Sequence, residues 1–288
     1  MNYKGQRALV TGASSGIGAV FARELARRGA DLVLVARSAD KLAALADELS
    51  ASFGVAADVA VADLAAPSAA DGLAADLRSR DLQIDILVNN AGFGLFAQLD
   101  QADAAVLADM IRVNVAALVD LTRLYLPGML DRDRGAVINV ASTAAFQPVP
   151  YMAVYGATKA FVLSFTEALW AETRGTGVRV TAICPGSTET SFFDIAGENA
   201  QVGQRIPPQR VVHAALRAVD RRASTTVTGG AGNWLLTNAP RLAPRQFVAR
   251  MAARTMRPAK SREHVSQKRG QHTGLQASPE NTKQALRD

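Results

Sequence analysis

The stretch Arg7-Ala-Leu-Val-Thr11-Gly12-Ala-Ser-Ser-Gly16-Ile-Gly18-Ala-Val-Phe21-Ala-Arg-Glu-Leu25 decides the fold. Residues 7–11 read as a short buried strand. Glycines at 12, 16 and 18 then break the run. Beyond them Ile17, Val20, Phe21 and Leu25 recur at helical spacing along one face. Gly29 stands where a helix C-cap is expected, and a second apolar strand, Asp31-Leu-Val-Leu-Val-Ala36, follows. Strand, glycine turn, helix and strand make one βαβ unit, and such units build parallel sheets. The alternation continues through Ile84–Val88, Ala136–Ala141 and Val178–Cys184. The expected fold is therefore α/β: a doubly wound parallel sheet with helices on both faces, in a single domain over residues 1–232.

The glycine turn has a chemical use. Glycines let the backbone approach a pyrophosphate, and the following helix offers N–H groups and its positive dipole end to that anion. The spacing 12, 16, 18 departs from the common G-x-G-x-x-G, but the flanking strands support a dinucleotide turn. The end of the second strand selects the nucleotide. A carboxylate there would hold the ribose 2′-OH of NAD. This chain has Ala36 followed by Arg37, and a guanidinium can grip a 2′-phosphate through charge-assisted bonds. Ser14 and Ser38 offer hydroxyls beside it. NADP is the expected cofactor.

A second constellation lies downstream. Tyr155 and Lys159 share one face of a helix-like stretch that runs to about Thr173, with Phe161, Val162, Phe165, Leu169 and Trp170 expected on its inner side. Ser142 follows the apolar strand Ala136–Ala141. A lysine ammonium beside a phenol favours the phenolate and would pull its pKa down from ~10. A phenol, an ammonium and a hydroxyl are the parts needed to move a proton to or from a carbonyl oxygen.

Together these motifs resemble the short-chain dehydrogenase/reductase family, from about residue 5 to 230. Thr11-Gly12-Ala-Ser-Ser15-Gly16-Ile17-Gly18 is similar to its cofactor turn, and Asn89-Asn90-Ala91-Gly92 to its second cofactor-supporting motif. Asp63-Leu64 looks like the pair that contacts adenine. Asn114, Ser142, Tyr155 and Lys159 match its catalytic tetrad, with Asn114 placed in a helix-like run from about Asp103 to Leu126. Pro185-Gly186 follows the last long strand, with Thr188 beyond it and Thr190 where the family holds the nicotinamide carboxamide. One departure is Ser187, where the family more often has an apolar residue. The resemblance implies a Rossmann-like fold and an NADP(H)-dependent enzyme. It would transfer a hydride between nicotinamide and a small-molecule carbonyl or alcohol, with Tyr155 as general acid or base. Lys159 would also hold the nicotinamide ribose, and Asn114 would position a water that replenishes the proton. The alternatives are a non-catalytic NADP(H)-sensing protein of the same fold and an NAD-linked alcohol dehydrogenase. All four tetrad positions are kept, which argues against the first, and Ala36-Arg37 argues against the second.

Three segments are expected to border the substrate: 93–96, 147–154 and 188–208. They carry Phe93, Phe96, Val149, Tyr151, Met152, Phe192, Phe193 and Ile195, which would line an apolar pocket suited to a lipophilic substrate.

Composition narrows the rest. The chain has 288 residues, 49% of them hydrophobic, enough for a substantial core. The single Cys184 excludes an intrachain disulfide, and His213, His264 and His272 are too scattered to suggest a metal site. The N-terminus lacks the apolar core of a signal peptide, and no apolar run approaches the ~18 residues of a membrane span. A cytoplasmic homo-oligomer is expected. The net charge of +6 is uneven: residues 241–288 hold eleven Lys/Arg against three Asp/Glu.

Residues 233–257 read as a basic amphipathic segment. Its apolar members are Trp234, Leu235, Leu236, Phe247, Val248 and Met251, with Arg250, Arg254 and Arg257 on another face. Composition favours packing on the domain or a sister subunit over peripheral contact with a membrane. Residues 258–288 have only Val265, Leu275 and Leu286 as large apolar groups, too few to offset ordering entropy, and are expected to be disordered. Their basic residues lack interleaved aromatics, so no nucleic acid is expected as a partner. Truncation after Pro258 should leave the fold and its chemistry intact, whereas deletion of 233–256 should be damaging. A loss of the cooperative thermal transition on truncation at 258 would contradict the tail assignment.

Overall fold

The computed structural model describes residues 1–197, 200, 203–230, 232, 233, 237 and 243–256. Seven strands, all parallel, form one sheet. They are β1 (Arg7–Thr11), β2 (Asp31–Ala36), β3 (Ala57–Val61), β4 (Ile86–Asn89), β5 (Gly135–Val140), β6 (Val178–Cys184) and β7 (Thr225–Val227), in the order β3-β2-β1-β4-β5-β6-β7. Successive side chains of a strand point to opposite faces, and the two faces are covered by different helices. Ala8 and Val10 of β1 join Leu32 and Leu34 of β2 under α1 (Gly16–Arg27), α2 (Ala39–Phe53) and α8 (Pro208–Asp220), the helix that follows the short α7 (Phe192–Ala196). Leu9, Val33, Val35, Leu87 and Val137 point the other way. They meet α3 (Ala69–Ser79), α5 (Ala117–Asp131) and α6 (Ala153–Glu172). The doubly wound, Rossmann-like single domain expected from the sequence is the fold observed.

The chain winds outward from β1 through β2 to β3, then crosses back to β4 on the other side of β1. Strand order therefore reverses between β1 and β4, and a crevice opens beyond their carboxyl ends, where such sheets bind ligands. Phe21 and Leu25 of α1 have no exposed surface and hold that helix on the sheet. Burial of this kind is worth roughly 1.5–3 kcal/mol per side chain. Farther along the sheet a buried polar network ties strands to helices. Asn89 donates to Thr122 Oγ1 (3.1 Å) and to Asn139 Oδ1 (2.9 Å), and Asn139 donates to Thr166 Oγ1 (2.9 Å).

Three local expectations are corrected. The run 103–126 is not one helix: α4 (Ala104–Ile111) passes through a wider π turn, Arg112–Ala116, into α5. Such turns recur at functional positions, and this one contains Asn114. Phe161 is not on the inner side of α6 but is 43% exposed, because that position faces away from the sheet. In α9 (Arg245–Thr255), Phe247 and Met251 face outward beside Arg250 and Arg254, while Val248 and Ala252 turn inward. Trp234, Leu235, Leu236, Arg257 and residues 258–288 lie outside the described residues.

Candidate active site

The crevice is a single cleft of about 630 Å³ that runs from the glycine turn to the head of α6. Its nucleotide end is built by close backbone approach. Gly12 has φ +66°, and a Cβ there would come 2.9 Å from Asn90 Nδ2. A Cβ on Gly18 would come 2.2 Å from the Gly12 carbonyl oxygen and 2.6 Å from Asn90 Nδ2. Asn90 stitches the turn, donating from Nδ2 to the Thr11 carbonyl at 2.9 Å. Thr11 Oγ1 in turn accepts from the backbone N–H of Asn90 (3.0 Å) and of Ala91 (2.9 Å). Thr11 thus couples two segments that the sequence analysis treated as separate motifs.

Ser14, Ser15, Gly16 and Ile17 line the cleft, as do Arg37 and Ser38 beyond β2 and Asp63 and Leu64 beyond β3. Arg37 is exposed and pairs with no carboxylate among the described residues, which leaves its guanidinium available for an anion. Asp63 Oδ1 accepts from Ala65 N at 3.1 Å and so shapes its own turn. Ala91 and Gly92 form the opposite wall.

At the other end, Ser142, Tyr155 and Lys159 converge. Ser142 lies two residues past β5 and caps a short turn, its Oγ accepting from Ala144 N at 3.1 Å. Its hydroxyl also acts on the Tyr155 phenol in the direction that favours the phenolate. Lys159, one turn along α6, donates from Nζ to the Val140 carbonyl at 2.7 Å and lies 5.9 Å from the Tyr155 ring centre. Both side chains are buried.

Burial pushes the Tyr155 phenol up to about 12, against the opposing effect of the Ser142 hydrogen bond. It also pulls the Lys159 ammonium down to about 8. The lowering of the phenol pKa by Lys159 expected from the sequence is therefore not what this arrangement gives. Desolvation dominates, and the lysine's charge is directed at a carbonyl rather than at the phenol oxygen.

Asn114 is buried in the π turn. Its Oδ1 accepts from Phe93 N (3.1 Å), and its Nδ2 donates to Phe93 O (3.0 Å) and Thr158 Oγ1 (3.1 Å). Both amide hydrogens are engaged, so the side chain fixes the Gly92–Phe93 wall opposite Lys159. Gly92 cannot be larger without moving it, since a Cβ there would lie 2.9 Å from Asn114 Oδ1.

Pro185, Gly186, Thr188 and Thr190 close the third side. Thr188 Oγ1 donates to the Gly186 carbonyl at 3.0 Å, and Thr190 reaches across so that its Cγ2 would lie 3.0 Å from a Cβ on Gly16.

Of the expected pocket residues, Phe93, Val149, Met152, Phe192 and Phe193 line the cleft. Phe96 and Tyr151 instead stack on each other, with ring centroids 5.6 Å apart. The Ile195 side chain lies outside the described residues. Two lining residues come from the C-terminal segment, which the sequence did not show to reach the site. Asn233 packs against Gly186 and Gly229, donating to the Thr228 carbonyl at 2.7 Å. The nearby glycines Gly229, Gly230 and Gly232 signalled such a close approach. Met256, at the end of α9, packs into the apolar cluster of Met110, Met152 and Tyr155. Its signal was the i, i+4, i+8 stripe Val248, Ala252, Met256. Cys184 is buried, and burial pushes its thiol up to about 12, as befits a small core residue. Among the described residues no cluster suits a metal ion, and no helix is long and apolar enough to cross a membrane.

Comparison with known proteins bears on this geometry. A family model described as short chain dehydrogenase matches residues 6–200. A very-long-chain 3-oxoacyl-CoA reductase of Anas platyrhynchos is 35% identical over 227 residues, 77% of this chain and 71% of that protein. Two solved structures align well. A short-chain dehydrogenase from Sphingobium yanoikuyae in complex with NADPH has a TM-score of 0.74 at 33% identity, covering 96% of this chain and 99% of that one. A 7beta-hydroxysteroid dehydrogenase has a TM-score of 0.78 at 28% identity, covering 88% and 100%. With the sheet order and the glycine turn already in place, these matches settle the family: the chain belongs to the short-chain dehydrogenase/reductase oxidoreductases.

Proposed function

We propose that the protein is an NADP(H)-dependent carbonyl reductase or alcohol dehydrogenase acting on a lipophilic substrate, with Tyr155 as its acid–base group. The observation that carries this reading is one continuous cleft. It has a glycine turn and an Arg37 that pairs with no carboxylate among the described residues at one end, and the Ser142–Tyr155–Lys159 cluster at the other.

The residues present fit the cofactor. Gly12 and Gly18 are packed where a side chain cannot go, which brings the N-terminus of α1 up to a pyrophosphate. Arg37 and Ser38 stand where a 2′-phosphate would be held, and the NADPH carried by the Sphingobium relative agrees with that choice. NADPH, when bound, supplies the hydride.

The chain's own residues supply the proton and the positioning. In the reduction direction Tyr155 donates its phenolic proton to the substrate oxygen, and Ser142 holds that oxygen by a hydrogen bond. A phenol whose pKa is raised by burial keeps its proton until negative charge develops on the substrate oxygen. Lys159, held by the Val140 carbonyl one turn along α6 from Tyr155, is placed to bind the nicotinamide ribose. Asn114 holds the wall that faces Lys159. The apolar lining from Phe93, Met152, Phe192 and Met256 favours a lipophilic substrate. Two of the relatives, a very-long-chain 3-oxoacyl-CoA reductase and a 7beta-hydroxysteroid dehydrogenase, are likewise named for lipophilic substrates.

A homo-oligomer is part of this reading. The exposed Ile111 and Phe161 bracket an apolar groove between α4 and α6 that a second copy would cover.

Cofactor choice gives the test. Arg37→Ala should weaken NADPH binding by roughly tenfold to a hundredfold, the cost of losing a hydrogen bond to a charged group. NADH binding should barely change. Isothermal titration with both nucleotides reads this directly, and equal losses for both would remove Arg37 from the 2′-phosphate role.

A further inference from the structure

Helix α9 has two unlike faces. Val248, Ala252 and Met256, at i, i+4 and i+8, turn toward the body of the protein, and Met256 reaches the cleft beside Met152 and Tyr155. The opposite face is in solvent. Phe247 is 58% exposed and Met251 43%, and the two are neighbours at i, i+4. Arg250 and Arg254, also i, i+4, flank them at i+3 spacing and are exposed. Among the described residues no carboxylate pairs with Arg245, Arg250 or Arg254. Between residues 241 and 262 the chain holds seven Lys/Arg and no Asp/Glu.

We propose that this outer face of α9 docks on an anionic lipid surface. The inner face carries the helix's buried side chain, Ala252, while Phe247 and Met251 join none of the apolar clusters among the described residues. A helix with bulky apolar side chains bordered by arginines suits the headgroup boundary. There the apolar groups sink into the acyl region and the guanidiniums meet phosphates. Pairing with a second copy is disfavoured by charge. A twofold contact through this face would set Arg250 and Arg254 against their own copies. Docking would also bring the apolar end of the cleft, which Met256 lines, close to the lipid. The docking itself does not depend on the reaction proposed above.

Flotation of the full chain tests it. The probes are phosphatidylcholine vesicles and vesicles that mix phosphatidylcholine with phosphatidylserine. The protein should float with the phosphatidylserine vesicles at low salt, stay behind with phosphatidylcholine alone, and be released at high salt. The double variant R250E/R254E should lower the partition coefficient by roughly thirtyfold or more, as expected for two basic groups near the surface. F247S/M251S should abolish binding in the same assay. All four positions are exposed, so both variants should keep the parent's thermal transition, measured alongside.

Absence of flotation by the parent chain overturns the proposal. So does flotation that both variants leave unchanged, which would place the contact elsewhere in the chain. A dimer in light scattering that F247S/M251S converts to monomer would assign the face to a second copy and overturn it too.

Discussion

Tyr155→Phe is expected to lower turnover by ~10²–10⁴-fold or more, the range that a positioned proton donor contributes. NADPH affinity should change little. The ring still packs against Phe192, whose centroid is 5.4 Å away, so only the hydroxyl is lost. The cleft offers no substitute. Ser142 offers a hydroxyl, but an aliphatic alcohol is a far weaker acid than a phenol, and its O–H serves to hold the substrate oxygen. Lys159 gives its short hydrogen bond, 2.7 Å, to the Val140 carbonyl. Single-turnover kinetics with preloaded NADPH separates the two effects, since binding is complete before chemistry begins. Parent-like turnover in the variant would remove Tyr155 from the acid–base role.

Gly18→Ala is expected to be the most damaging single change at the nucleotide end. The new Cβ would lie 2.2 Å from the Gly12 carbonyl oxygen and 2.6 Å from Asn90 Nδ2. Neither neighbour can yield cheaply. The first is backbone in a turn whose glycine has φ +66°, and the second is the side chain that stitches Thr11 to the next motif. Overpacking of this kind costs about 1–3 kcal/mol, or a melting decrease of about 2–4 °C for each kcal/mol in a domain of this size. The turn must also move away from the position where it meets a pyrophosphate, so NADPH affinity should fall at least about tenfold. Gly72→Ala is the control, because nothing lies within 4 Å of a Cβ placed there. Equal melting temperatures and affinities for both variants would show that Gly18 is not a close-approach position.

The fold was legible because its signals are local and repeated. The inner strands are largely apolar runs and the helices between them carry apolar stripes, and β1, β2 and β6 begin and end where the pattern said, whereas the edge strands β3 and β7 (Thr225-Thr226-Val227) are too short and polar to stand out. The site was legible where chemistry needs a particular residue type at a particular spacing, as at Tyr155 and Lys159. What the sequence hid depends on long-range packing. Periodicity shows that Phe161 lies on a helix but not that its side of α6 is uncovered. Residue type shows that Lys159 stands one turn from Tyr155 but not that burial around the phenol outweighs any lowering, so the Tyr155 shift runs upward. The helical pattern from Asp103 continues smoothly through the π turn at Arg112–Ala116, since one extra residue per turn leaves no mark in composition. Met256 enters the cleft from almost a hundred positions downstream of Lys159, a proximity only the tertiary fold creates.

The central claim is that this cleft moves a hydride and a proton to a lipophilic carbonyl with NADPH. It is tested most directly by following NADPH absorbance while the purified protein meets a panel of aromatic, long-chain and polycyclic ketones and aldehydes. The reverse panel pairs the matching alcohols with NADP. Turnover should strengthen with apolar surface on the substrate and be much weaker with NADH. A protein that binds NADPH yet turns over no carbonyl and no alcohol in either direction would contradict it.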